Sequence, residues 1–437
     1  MKESPLKYRY FTFLYGFVLI VLLIPFLQSQ FMLHREEALK GSFVYAQDVS
    51  GKWKTWHDAS FQTGKENYLK ENFGFRNTLV RLNNQIFYSF FKINRISGVV
   101  IGKEDYLYGS DYIFSYLGYN FIGEDSLRNT AIKLKRISDE LDRRGKKLIV
   151  AIAPGTASLK QQFLPEKYDT VIRGKTNYDY FVKYANENQL NLIDFQAFFK
   201  IAMDTASYPM LPKYGTHWSS YGSYLSLDSL LRYISARTNV DLPKLILDSL
   251  EVVHEYRGAD YDMGQALNLL YPLETQKMAY PILHSESDSN SRQLKTMVIA
   301  DSFFWNLVNN KFTPEVIQNL QFYYYMIELF EWPQTGKKYV FQKNLVDEFD
   351  TSDLFILLFN ESNLQFTFYS FIEHANAILF GDEKVKQTYR LIPKYMDAMI
   401  TDPQWSESIR QKAAERNKTF EEMMIIDAKW MAEQEVY

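Results

Sequence analysis

The order of elements along these 437 residues predicts an α/β domain with a parallel sheet flanked by helices, an N-terminal transmembrane helix ahead of it and a C-terminal helical appendage behind it. Three observations predict this: apolar runs of strand length that stop at turn residues, helical runs between them, and one long apolar stretch near the N-terminus.

That apolar stretch comes first. Residues 10–27 are almost wholly apolar, about the length that crosses a bilayer core. Lys2, Lys7 and Arg9 precede it, and His34, Arg35, Glu36 and Glu37 follow. This places the N-terminus in the cytoplasm and the remainder outside, by the positive-inside tendency. Pro25, Phe26 and Gln28 do not make a small-residue cleavage site, so residues 1–30 are read as a cytoplasmic stub and uncleaved anchor that crosses once.

Residues 31–95 form a lead-in segment. Between 37 and 92 it reads as helical and amphipathic, with Trp53, Trp56, Phe61, Tyr68, Phe73, Phe87 and Phe91 as aromatic anchors. A sheet domain is expected over 96–380. It opens on two short strands, 99–101 and 106–108, around a charged turn. Then come a helix at 129–144, a buried strand at 147–153 stopped by Pro154 and Gly155, and a helix at 177–188. A strand at 190–193, a helix at 219–236 and strands at 296–299 and 354–359 complete the series. In such a domain the loops at the carboxyl ends of the strands carry the chemistry. Residues 285–292 read as an exposed loop, and 381–437 as an appendage outside the sheet with one helix over 405–433.

Composition narrows the chemistry. A net charge of −3 gives no general reason to expect a nucleic-acid or anionic-lipid partner. The absence of cysteine excludes thiol nucleophiles, disulfides and sulfur-ligated zinc. No glycine-rich phosphate loop or carboxylate set with metal spacing is present, so no metal or other cofactor is expected. Aromatics reach 16%, a richness that serves a core or a sugar-binding surface.

Ala300-Asp301-Ser302-Phe303 follows a strand and precedes a helical run. A serine there has its hydroxyl at the carboxyl edge of the sheet and is placed to attack an ester; the alternative is a helix cap. Tyr214-Gly215-Thr216-His217-Trp218-Ser219 lies in a loop just before a helix, and His217 is the candidate base. Of the six histidines only this one sits in a short loop bordered by Gly and Trp. Thr216, Trp218, Asp301, Asn360 and Glu361 are the candidates for substrate contact.

These segments, in this order, resemble the alginate O-acetyltransferase family of AlgJ and AlgX type. Also matching are the anchor, Glu71-Asn72-Phe73-Gly74-Phe75-Arg76, Gly102-Lys103 with Tyr106-Leu107-Tyr108, and Ile152-Ala153-Pro154. The resemblance covers residues 10–380. It implies an SGNH-hydrolase-like fold that acetylates an extracellular polysaccharide beside a membrane-bound O-acyltransferase, with Ser302 and His217 catalytic and the domain in the periplasm. One position departs from the family pattern: where a carboxylate stands two residues before the histidine, this chain has Gly215. Asp194 and Asp262 are possible substitutes, and an aspartate placed at 215 is expected to restore the pattern. The third member of the site stays unassigned. Hydrolysis of the same esters, and a silent polysaccharide-binding scaffold, are the competing readings.

Overall fold

The computed structural model describes residues 5–32, 34–41, 46–51, 56–57, 59–287, 291–292, 294–310, 316–317, 320–332, 336 and 338–436. The chain divides into two compact units, 1–101 with 262–274, and 102–261 with 275–437.

In the first unit, α1 (Pro5–Phe31) is longer than the expected run, and its 23 residues from Arg9 to Phe31 are long and apolar enough to cross a membrane. Two further helices follow, α2 (Ser60–Asn72) and α3 (Arg76–Phe91). The described residues of 37–51, expected to be helical, are irregular. Gly41 takes φ 106° there, and Asn268 holds Lys40 through its backbone, accepting from the Lys40 N–H at 2.8 Å and donating to its carbonyl at 2.9 Å. Residues 262–274 thus leave the sheet domain in sequence to brace the lead-in segment. The expected aromatic anchors are not core residues: Trp56, Phe73 and Phe91 are exposed and Phe61, Tyr68 and Phe87 half-buried, while Trp53 lies outside the described residues. Leu39 and Tyr88 are buried instead.

The second unit holds the sheet. After a short strand at Leu107–Gly109, its strands are β1 (Lys147–Ala153), β2 (Leu192–Asp194), β3 (Lys244–Val253), β4 (Met278–Glu286), β5 (Thr296–Ala300), β6 (Leu320–Tyr324), β7 (Glu328–Glu331), β8 (Lys338–Tyr339) and β9 (Leu354–Asn360). Seven of them form one sheet in the order β8-β7-β6-β5-β9-β1-β2. The five from β6 to β2 run parallel, and β7 and β8 add antiparallel at one edge, so the sheet is mixed where an all-parallel one was expected. The central strand β9, Leu-Phe-Ile-Leu-Leu-Phe-Asn, is buried at every position, which is why it reads as an unbroken apolar run with no alternation. Strands β3 and β4 pair with each other as a separate antiparallel ribbon, and β4 absorbs residues 285 and 286 of the expected loop.

Helices cover both faces of the sheet. Alternate residues Leu148, Val150, Ile152, Phe355, Leu357 and Phe359 face α4 (Glu124–Arg143) and α5 (Asn177–Glu187) in one cluster. The other face receives α6 (Phe195–Ala202), α7 (Ser220–Thr238) and α8 (Phe303–Asn309). The C-terminal helices α9 (Glu383–Thr401), α10 (Pro403–Glu415) and α11 (Phe420–Val436) are not an appendage outside the domain. Met396, Met399, Ile409, Met423 and Met424 are fully buried in the same cluster as β1, β5 and β9. The single expected helix over 405–433 is also divided, with Asn417 at φ 51° between α10 and α11.

Candidate active site

The carboxyl ends of β5, β6, β9 and β1 share one edge because the strands are parallel, and the candidate residues gather there. At the end of β5 the chain turns through Asp301 and Ser302 into α8. Asp301 is fully buried. Its Oδ1 accepts the Phe303 N–H at 3.0 Å; its Oδ2 accepts the Asn360 N–H at 2.6 Å and the Asn363 side-chain amide at 2.7 Å. Burial pushes this carboxyl above its ordinary range and the three donors pull it back. Asp301 therefore fixes the Ser302 turn to the end of β9.

Ser302 stands at the N-cap position of α8 but makes no capping bond with its side chain. Its Oγ lies 2.8 Å from His217 Nε2 instead, and both residues are partly open to solvent. The geometry is that of a hydroxyl and the base that takes its proton. The loop carrying the histidine is tied to α8 by neighbouring residues. Trp218 Nε1 donates to the Phe303 carbonyl at 3.1 Å, and the Asn306 amide donates to the Trp218 carbonyl at 3.1 Å. Phe303 meets the His217 ring edge-on at 4.9 Å. Ser219 then caps α7, accepting the Gly222 N–H at 2.9 Å. So Thr216-His217-Trp218 and Asp301-Ser302-Phe303 interlock, and the spacing of the reactive atoms is set by buried neighbours.

That burial corrects most of the expected substrate contacts. Trp218 is enclosed by Phe195, Phe199 and Phe303 and is a packing residue. Asp301 is a turn residue, as described. Asn360 is enclosed: its amide donates to the Pro154 carbonyl at 2.7 Å and its carbonyl accepts the Ser362 N–H. Glu361 is enclosed too, accepting from the Ser158 hydroxyl and from the Gln196 amide at 2.9 Å, while Gln196 accepts the Gly155 N–H. These bonds clamp the loop after β1 against the end of β9. Thr216 alone of the five is half-buried.

Burial raises the Glu361 carboxyl from 4.5 to about 7 despite those two donors. Between these values the folded state holds a proton that the unfolded chain has released, so stability falls as pH rises through the window and stays lower above it. The shift corresponds to at most ~3 kcal/mol. Glu361→Gln keeps the shape and removes the titration. Its melting temperature is expected to exceed the wild type's at about pH 8 and to match it near pH 5. A variant-to-wild-type difference that is equal at both pH values contradicts this.

A residue that sequence reading missed completes the edge. Tyr325, just after β6, interacts with the Ser302 side chain, and burial keeps its hydroxyl firmly protonated. Tyr325 and Met326 both adopt left-handed backbone, at φ 49° and 57°. Such strain in residues other than glycine is characteristic of functional sites. Thr367, Phe368 and Tyr369 form a second left-handed run and bring Tyr369 to 5.0 Å from Tyr325, with the half-exposed Phe366 stacked on Tyr369 at 5.3 Å.

Gly215 is where the chain differs from the family pattern, and the space around it is closed. A Cβ there would lie 2.5 Å from the Ala259 carbonyl, 2.7 Å from Pro212 Cγ and 3.1 Å from the Asp260 backbone. The loop over 258–261 thus occupies the volume a side chain at 215 needs. Of the two proposed substitutes, Asp194 caps α6 through Ala197 and accepts the Tyr178 hydroxyl at 2.7 Å, while Asp262 Oδ1 accepts the Met263 N–H at the start of its own short helix. Among the described residues no group of three His, Asp or Glu side chains converges as a metal set.

Comparison with known proteins places the domain. Residues 99–279 match the model described as an SGNH hydrolase-like domain, acetyltransferase AlgX; His217 lies inside the match and Ser302 beyond it. No curated protein sequence matches the chain. Among solved structures, the O-acetyltransferase domain of Pseudomonas putida AlgJ aligns at 18% identity and TM-score 0.41, over 61% of this chain and 92% of that one. Pseudomonas aeruginosa AlgX aligns at 13% and 0.44, over 65% and 67%. Bacillus cereus PatB1 aligns at 13% and 0.38, over 61% and 96%. Over residues 99–279, then, the chain is similar to the SGNH hydrolase-like domain of acetyltransferase AlgX, and the helix-flanked α/β sheet agrees with that likeness.

Proposed function

We propose that this protein is an O-acetyltransferase that moves an acetyl group onto a hydroxyl of an extracytoplasmic polysaccharide through an acetyl-Ser302 intermediate. The observation that carries this reading is the 2.8 Å contact between Ser302 Oγ and His217 Nε2 on the open edge of the sheet. The match to an acetyltransferase domain supports acetyl as the group moved.

In the first half-reaction Ser302 Oγ attacks the acetyl carbonyl carbon as its proton passes to His217 Nε2. The Tyr325 hydroxyl donates to the oxygen on which negative charge develops. Collapse expels the donor oxygen, which takes the proton from His217. A sugar hydroxyl then gives its proton to His217 and attacks the same carbonyl carbon, and Ser302 recovers its proton as it leaves. Tyr325, Tyr369 and Phe366 form an aromatic wall beside the serine on which sugar rings lie. With α1 as a single-pass anchor in the inner membrane and the domain in the periplasm, the donor is delivered by a membrane-bound O-acyltransferase; the apolar helix and the family resemblance support this placement.

The test is the fate of the acetyl group. Full-length protein given an activated acetyl ester and a de-acetylated polysaccharide is expected to place acetyl on the polymer. Tyr325→Phe is expected to lower that rate by about 10²-fold, the cost of one lost oxyanion donor, with an unchanged melting temperature. Acetate as the sole product whether or not polymer is present identifies an esterase. Absence of any ester turnover, with polymer binding retained, identifies a scaffold.

A further inference from the structure

The helix α3 is amphipathic in the reverse of the usual sense. Its hydrogen-bonding side faces the protein: the Asn77 amide donates to the Glu37 carbonyl at 3.1 Å, Thr78 donates to the Glu36 carboxylate, Arg81 donates to the Glu37 and Ala38 carbonyls, and Asn84 donates to the Leu267 carbonyl. The apolar side faces outward. Leu79, Leu82, Ile86 and Phe90 recur at the spacing of one helical face, and all four are exposed, Phe90 at 78%. Ile93, just past the helix end, is exposed as well. Asn83 and Ser89 are the polar interruptions of that face. A helix on a water-facing surface turns its apolar stripe inward, so this orientation implies an apolar medium outside.

Two observations indicate what that medium is. The turn into α3 abuts the membrane helix: a Cβ on Gly74 would lie 2.1 Å from the Pro25 carbonyl oxygen and 2.6 Å from Gln28 Cβ, so only glycine allows the approach. Pro25 is six residues short of Phe31, where the apolar span ends. At the helical rise this is about 9 Å inside the span's end, the depth of the bilayer interface. The second observation is charge. Residues 76–96 contain no Asp or Glu; of their four cations Arg76 and Arg81 bond backbone carbonyls of the protein, while Lys92 and Arg95, just past the helix, are exposed, where anionic headgroups attract them.

We infer that α3 lies in the bilayer interface with Leu79, Leu82, Ile86 and Phe90 among the lipid chains, a second membrane attachment. This rests on reading α1 as a membrane span, and the experiment keeps the two apart.

The native chain has no cysteine, so single cysteines carry an environment-sensitive fluorophore without further changes. The sites are Leu82 and Phe90 on the stripe, Leu19 in α1, and Ile172, which is 91% exposed on the second unit. Full-length protein is reconstituted in phosphatidylcholine–phosphatidylglycerol vesicles, with nitroxide lipids placed shallow or deep. Labels at 82 and 90 are expected to shift to the blue and to be quenched by shallow nitroxides, the label at 19 by deep ones, and the label at 172 by neither. Quenching at 19 without quenching at 82 and 90 overturns the inference and leaves the anchor standing. No quenching at 19 removes the anchor and the inference with it. A blue shift at 82 and 90 that lipid nitroxides do not quench shows that protein covers the stripe, and also overturns it.

Discussion

Ser302→Ala is expected to lower acetyl-ester turnover by three orders of magnitude or more, and His217→Ala by a similar amount. The double variant should lose little beyond either single one. The oxygen at 302 and the imidazole act as one unit, and removing either part disables the other, so the losses do not add. Neither change should cost much stability. Ser302 Oγ makes no capping bond to α8, so the alanine forfeits no cap, and the loop that carries His217 is held by Trp218, Asn306 and Ser219, which remain. Melting temperatures within a few degrees of wild type are the control. Single variants whose losses multiply in the double variant would contradict a shared covalent step.

Gly215→Asp has the second large expected effect, opposite to the one the sequence suggests. On the family pattern, an aspartate there supplies the missing carboxylate and raises the rate. The structure replaces that expectation, because the first atom of the new side chain meets a backbone carbonyl oxygen and a proline ring at distances real Cβ atoms do not tolerate. Overpacking of this kind costs roughly 1–3 kcal/mol. A carboxylate forced beside the Ala259 carbonyl adds the cost of a poorly solvated charge. The expected result is a clearly lowered melting temperature and ester turnover no higher than wild type. Gly215→Ala, which adds only the Cβ, separates the two costs. An aspartate variant that is as stable as wild type and faster would show that the loop over 258–261 yields.

Much of this architecture is legible along the chain, and what is not has a physical reason. The strands at β1, β5 and β9 are read from sequence because buried parallel strands are unbroken apolar runs with sharp polar ends, and the half-buried edge strand β2 because its short apolar run ends on Asp194. The Ser302 and His217 loops are read because each sits between a clear strand or turn and a clear helix. Strand β6, Leu-Gln-Phe-Tyr-Tyr, escapes because a run into further tyrosine has no boundary. Its loss hides Tyr325, whose left-handed backbone has no signature in a residue other than glycine. The membership of α9, α10 and α11 in the core escapes because it depends on methionines joining a cluster of residues far away in sequence. Asn360 and Glu361 sit at the edge the sequence indicates, yet burial fixes their roles as braces, and burial is a property of the assembled fold. Gly215 reads as a loss from sequence alone, whereas in the structure a second loop fills its space.

The central claim is a covalent acetyl-enzyme at Ser302, and the most direct measurement is the intact mass of the protein quenched in acid during turnover of an acetyl ester, followed by peptide mapping. The account predicts one added acetyl group, located on the peptide containing Ser302, absent from Ser302→Ala and discharged when polysaccharide is supplied. Acetyl turnover in the wild type with no adduct at Ser302 under conditions that trap acyl-enzymes, or with full activity retained in Ser302→Ala, would contradict it.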